Sequence, residues 1–141
     1  MKTLLTILAF WALFVPTHAQ TEAEEKTAIT ATIQAYFDGM MDRDVEKLQQ
    51  AFFSEARLIG YRGETLTVTE FKDWAANTAK GEKRDRSQFK NQIHSIEIKG
   101  YTALVKTELW WPGIYYFDYL TLMKIEGQWK IVHKTWYEEK R

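Results

Sequence analysis

No cysteine occurs among the 141 residues of this chain. Disulfide bridges and thiol chemistry are therefore excluded, as is a lipid anchor on a cysteine after the N-terminal apolar run. Stability has to come from the hydrophobic core, which one domain of this length can supply. An excess of charge is also missing, since 19 basic residues face 19 acidic ones. Nucleic-acid binding draws on surplus Lys and Arg to neutralise phosphates, so the balance argues against that partner. A long apolar run is lacking too. Residues 4–15 are almost continuously apolar, but they fall short of the roughly 20 residues that span a bilayer. There is no glycine-rich phosphate loop, Gly-x-Ser-x-Gly elbow, internal repeat or low-complexity segment.

The first residues carry a different signal. Lys2 supplies a positive start, Pro16 ends the apolar stretch, and Ala19 places a small residue before Gln20. This is the order of a cleaved secretory signal. The expectation is a signal peptide over residues 1–19 and one domain over residues 20–141, secreted or periplasmic and free of the membrane after cleavage. Without Lys2 the net charge moves from zero to about −1.

What is abundant is aromatic: six Trp, seven Tyr and eight Phe. That is more than a modest core holds, so some should line a cavity or an interface. Ile29, Ile33, Tyr36, Phe37 and Met40 share one helical face. Asp44 can cap a second helix bearing Val45, Leu48, Ala51 and Phe52. Residues 57–61 read as a short strand. Thr67 and Glu70 have capping-box spacing before a third helix with Phe71, Trp74, Ala75 and Thr78 on its apolar stripe. Residues 80–86 are dense in charge and read as a solvated loop, with an acidic-ligand patch as the alternative. From Ser87 the period becomes two. Runs near 90–98, 101–111, 114–125 and 129–137 are separated by Lys99-Gly100, Pro112-Gly113 and Glu126-Gly127, all plausible hairpin turns. Helices followed by a bent antiparallel meander make an α+β layer architecture.

This order of elements resembles the NTF2-like superfamily. Residues 117–132 are similar to the final hairpin of its "putative lumazine-binding" branch, grouped here with SnoaL-like and ketosteroid-isomerase-like proteins. Ala35 to Gly39, followed by Asp44, Val45 and Leu48, resemble that branch's first two helices. The resemblance covers nearly all of residues 20–141. It implies a cone of three N-terminal helices on the concave face of the sheet, with a pocket between the layers. It does not imply one activity, because the superfamily includes enzymes, binders and interaction modules. By its place in the first helix, Tyr36 matches the tyrosine that stabilises the enolate in ketosteroid isomerases. The position matching their carboxylate base is Gly60, and that departure argues against steroid isomerisation.

Strand parity assigns the faces. If Lys130 and Lys134 point to solvent, Val132 and Trp136 share their outer face, and Trp129, Ile131, His133 and Thr135 point inward. By the same rule Lys124 takes Leu122, Leu120 and Asp118 outward and leaves Tyr119, Thr121 and Met123 inward. His94, alternating with Ile96 and Ile98, also points inward. A single bulge would invert any of these assignments. The expected pocket therefore contains Tyr36, Trp74, His94, Tyr119 and His133, a polar cluster on an aromatic wall suited to a small apolar or heterocyclic ligand. Each histidine is either an acid/base or ligand contact, or a core residue satisfied by Tyr119, Thr121 or a backbone carbonyl. The two histidines lie on separate strands without an Asp or Glu at ligand spacing, so no metal or other cofactor is expected. Leu120, Leu122, Val132 and Trp136 would form an apolar outer patch and the seam of a homodimer. Three functions remain open: a non-catalytic binding domain, which is the preferred reading; a dehydratase, isomerase or cyclase using His133, His94 and Tyr36; and a dimeric interaction module with a vestigial pocket.

Overall fold

The computed structural model describes residues 21–141; the signal peptide assigned to residues 1–19 and the cut before Gln20 lie outside them. Helix α1 (Glu22–Asp42) opens with a complete capping box between Thr21 and Glu24 and buries Ile29, Ile33, Tyr36, Phe37 and Met40. Their spacing of three and four residues forms a single stripe. Helix α2 (Val45–Ala51) is capped by Asp44, whose carboxylate accepts from the N–H groups of Glu46 and Lys47. It leads directly into β1 (Phe52–Arg62), then β2 (Thr65–Glu70), then α3 (Phe71–Thr78). A 3-10 turn (Arg86–Gln88) precedes the meander β3 (Lys90–Lys99), β4 (Thr102–Trp111), β5 (Ile114–Ile125) and β6 (Gln128–Lys140).

The six strands lie in the order β2-β1-β6-β5-β4-β3. All neighbours are antiparallel except β1 and β6, which run parallel, so the sheet is mixed. Glu126 and Gly127 link β5 to β6 with φ of 49° and 80°. Two successive left-handed residues are what a tight primed turn requires, and Gly127 adopts this conformation without a Cβ penalty. The helices pack on one face, with α1 against β3 and β6 and α3 against β1. Between the layers sits a core that includes Ile33, Leu48, Leu58, Val105, Leu120, Leu122 and Ile131, all essentially inaccessible to solvent.

Two elements differ from the sequence reading. The capping box of Thr67 and Glu70 does not form: Thr67 lies in β2, paired with Gly60, and the Glu70 side chain makes no capping hydrogen bond. Strand β1 is 11 residues long rather than a short segment. Among the described residues no helix is long and apolar enough to cross a membrane.

The face assignments also change, for an identifiable reason. Val132 is an extra residue in β6: Thr121 pairs with His133 while the next residue, Leu122, pairs with Ile131. Trp129 and Ile131 therefore face the helices, as expected, but beyond the bulge Lys134 and Trp136 face them as well. In β5 the buried residues are Asp118, Leu120 and Leu122, and Tyr119, Thr121 and Met123 are exposed. Lysine was a misleading marker of solvent in both strands. Lys124 is held 2.6 Å from Glu25 of α1, and Lys134 is held 2.8 Å from Asp118. Leu120 and Leu122 are fully buried and Trp136 faces the helices, so Leu120, Leu122, Val132 and Trp136 do not form an outer patch.

Candidate functional site

A cavity of about 210 Å³ lies between the helices and the inner face of the sheet. Tyr36 and Met40 reach it from α1, and Trp74 and Thr78 from α3. The sheet contributes Leu58, Arg62, Leu109, Trp111, Tyr116, Lys134 and Trp136, and Arg84 enters from the loop before β3. Local geometry explains the placement. Tyr36 and Met40 are one helical turn apart on the buried stripe, and Lys134 and Trp136 are two apart on the same side of β6. Gly60 makes room for Trp136, since a Cβ at that position would lie 2.4 Å from the indole. The indole Nε1 of Trp136 donates to the Tyr61 carbonyl oxygen at 3.1 Å.

Three buried polar residues form the floor. The Tyr36 hydroxyl donates to Asp118 Oδ2 at 2.7 Å, and Lys134 Nζ donates to the Tyr36 oxygen at 2.5 Å. Lys134 Nζ also lies 2.8 Å from Asp118 Oδ2. A buried charge is tolerated only when paired, and here each ion supplies the other's partner. Aromatic faces add to the ammonium's environment, with ring centroids of Tyr36, Trp74 and Trp136 at 5.0, 5.7 and 5.9 Å. Burial, followed by the Asp118 charge, pushes the Tyr36 phenol well above its usual pKa, so it stays protonated and works as a donor. Asp118 Oδ1 and Thr107 Oγ1 are both buried without a protein hydrogen-bond partner, and their residues are directly opposed across β4 and β5.

Of the five expected site residues, the structure brings two together: Tyr36 and Trp74 line the cavity, with ring centroids 6.1 Å apart. The other three are placed elsewhere. His94 is the extra residue of a bulge in β3, between Ile93 and Ser95. Its side chain is 53% exposed, with Nδ1 3.5 Å from Glu108 Oε2 and its ring edge-on to Phe117. Tyr119 is 45% exposed on the outer face. His133 pairs with Thr121 and Arg57, both exposed, and so lies on the outer face beyond the Val132 bulge. Among the described residues no histidine or carboxylate lines the cavity wall; Asp118 stands behind it.

Sequence reasoning missed Lys134, Asp118, Arg62 and Arg84. A usable signal existed for one of them. Asp118 is the lone charge within the aromatic and aliphatic run 114–123. A single charge in an otherwise apolar run is a candidate for a buried pair.

Comparison with known proteins agrees with this architecture. The NTF2-like proteins from Silicibacter pomeroyi DSS-3 and Shewanella baltica OS155 superpose with TM-scores of 0.78 and 0.79, at 26% and 23% identity. They cover 85% and 87% of this chain and 100% of their own. Aldolase FrzH from Cladobotryum sp is 27% identical over 124 residues, covering 84% of this chain and 95% of that protein. The profile of the family described as "Putative lumazine-binding" matches residues 24–137, from the first turn of α1 to the end of the cavity-lining part of β6. On that span of sequence, carried by an NTF2-like fold, the chain belongs to the putative lumazine-binding family.

Proposed function

We propose that the protein is exported and binds a small planar heterocycle in the cavity between α1, α3 and the sheet. The observation that carries this reading is the Lys134 ammonium at the cavity wall. An ammonium has three donors. Tyr36 and Asp118 engage two, which leaves one for an oxygen of the ligand. Trp74, Trp111, Tyr116 and Trp136 give the ring flat apolar walls. The family's description points to the same class of ligand.

A second reading is favoured by the same ammonium and by the relative named as an aldolase. A charged donor fixed against a carbonyl oxygen stabilises the negative charge that develops there in an enolate or alkoxide. Making or breaking a carbon–carbon bond beside a carbonyl needs that stabilisation. In that case Lys134 and Tyr36 would carry the chemistry, in place of His133 and His94. Binding comes first because no carboxylate or histidine among the described residues lines the cavity to act as a base. Self-association we assign to the outer face of the sheet, where Tyr119, Met123 and Tyr137 are exposed.

One measurement tests export and binding together: native mass spectrometry of the protein recovered from the extracytoplasmic fraction of its own host. The expected spectrum shows a chain beginning at Gln20 and a second species with a bound small molecule. An intact Met1 would overturn export. Ligand-free protein whose tryptophan fluorescence also fails to respond to lumazine would overturn the binding function.

A further inference from the structure

The charge of the cavity does not balance from within. Lys134 has Asp118 at 2.8 Å, and Arg62 has Glu138 at 4.0 Å. Arg84 differs. Among the described residues its guanidinium has no carboxylate partner. It donates from Nη1 to the Met40 carbonyl oxygen and lies 4.8 Å from the Trp111 ring centroid and 5.9 Å from that of Phe89. Its backbone N–H donates to the Met41 carbonyl oxygen at 2.8 Å, so both ends of the residue are tied to the last turn of α1. Those carbonyls offer the partial negative charge of a helix C-terminus, which is less than a full counter-ion. Partial burial and the nearby Arg43 both work against the cation and lower its pKa. A guanidinium held this firmly, half-buried and facing a cavity, is placed to receive a negative charge from outside.

We propose that the ligand is an anion: a planar molecule of one or two rings with a single carboxylate, which binds Arg84 while the ring lies among the tryptophans. This rests on the cavity being the binding site, and it adds the ligand's charge class. One uncompensated cation matches one negative charge. The flat guanidinium fork fits a carboxylate better than an ammonium would. The volume of about 210 Å³ is below the roughly 300–1,000 Å³ typical of pockets for drug-sized ligands, which limits the ring system. The segment 80–86 thus contributes to the cavity through Arg84 while the rest of it is largely exposed.

The test compares naphthoate with its uncharged isostere naphthamide by tryptophan-fluorescence titration and calorimetry. The wild-type protein should bind naphthoate about tenfold or more tightly than naphthamide, and added salt should shrink the difference. Arg84→Gln should remove the preference, bringing naphthoate affinity down about tenfold relative to that for naphthamide in the same variant. Arg84→Lys, which keeps the charge without the fork, should retain a reduced preference and also controls for folding. Equal binding of both compounds to the wild type overturns the anion proposal but leaves the pocket standing. A preference that survives intact in Arg84→Gln overturns the assignment to Arg84. If neither compound binds at millimolar concentration, the binding function falls and the anion proposal falls with it.

Discussion

At the scale of single residues, Lys134 and Asp118 hold each other in place, and substitution can separate that structural role from ligand binding. Lys134→Met leaves the fully buried Asp118 carboxylate with only the Tyr36 hydroxyl. Breaking a buried pair from one side costs about 3–5 kcal/mol. Adding Asp118→Asn removes the stranded charge, so the double variant should recover much of the loss in urea denaturation. Neither variant should bind ligand, because both lack the ammonium at the wall. A Lys134→Met protein with wild-type stability would show that the pair is not what holds the floor of the cavity. The two residues were hard to identify from sequence for a physical reason. Lysine is so rarely buried that its presence normally marks the solvent face. Here burial is permitted by a partner more than a dozen positions away, on another strand. Tyr36 was legible because its helix announces its own inward stripe. Lys134 was not, because its environment is made by tertiary pairing.

At the scale of elements, the helices and hairpin turns could be read because their determinants are local. Asp44 at its cap, the stripe from Ile29 to Met40 and the Glu126-Gly127 turn each act within a few residues. Strand β2 could not be read, because Thr67 and Glu70 satisfy a helix-start pattern while the segment's real partner is β1. His94 in β3 and the part of β6 after Val132 depart from simple alternation because of bulges, which depend on register with neighbouring strands rather than on composition, while Ile96, Ile98, Trp129 and Ile131 keep their expected inward faces. Contact between β1 and β6 gives an element-level test. Gly60 and Trp136 are register partners, and a Cβ on residue 60 would collide with the indole. Gly60→Ala should cost about 1–3 kcal/mol, as overpacking does, and should displace Trp136. The expected readouts are a lowered melting temperature, a shifted tryptophan emission and weakened binding in the cavity. Unchanged emission and affinity would mean that Trp136 has room to yield without altering the site.

For the whole molecule, the two faces of the sheet have different work to do. The inner face is covered by helices and holds the cavity. Across the outer face run Phe117, Tyr119, Met123 and Tyr137, interleaved with Lys106, Glu108 and Thr121. No described helix shields it, and exposed apolar surface of this kind is characteristic of an interface. Light scattering should therefore report a dimer, and Tyr119→Glu should convert it to a folded monomer. A wild-type monomer that persists at high concentration would leave the outer face without this role. The bulge at Val132 carries its additional residue at no cost to either face. Because His133 still pairs with Thr121, next to the pairing of Ile131 with Leu122, loss of that single codon would restore plain alternation and keep both linings. His133 and Thr135 would stay on the outer face, and Lys134 and Trp136 would stay turned toward the ligand. A strand of this kind can thus change length by one residue in one genetic step while its pocket chemistry and its outer surface are preserved.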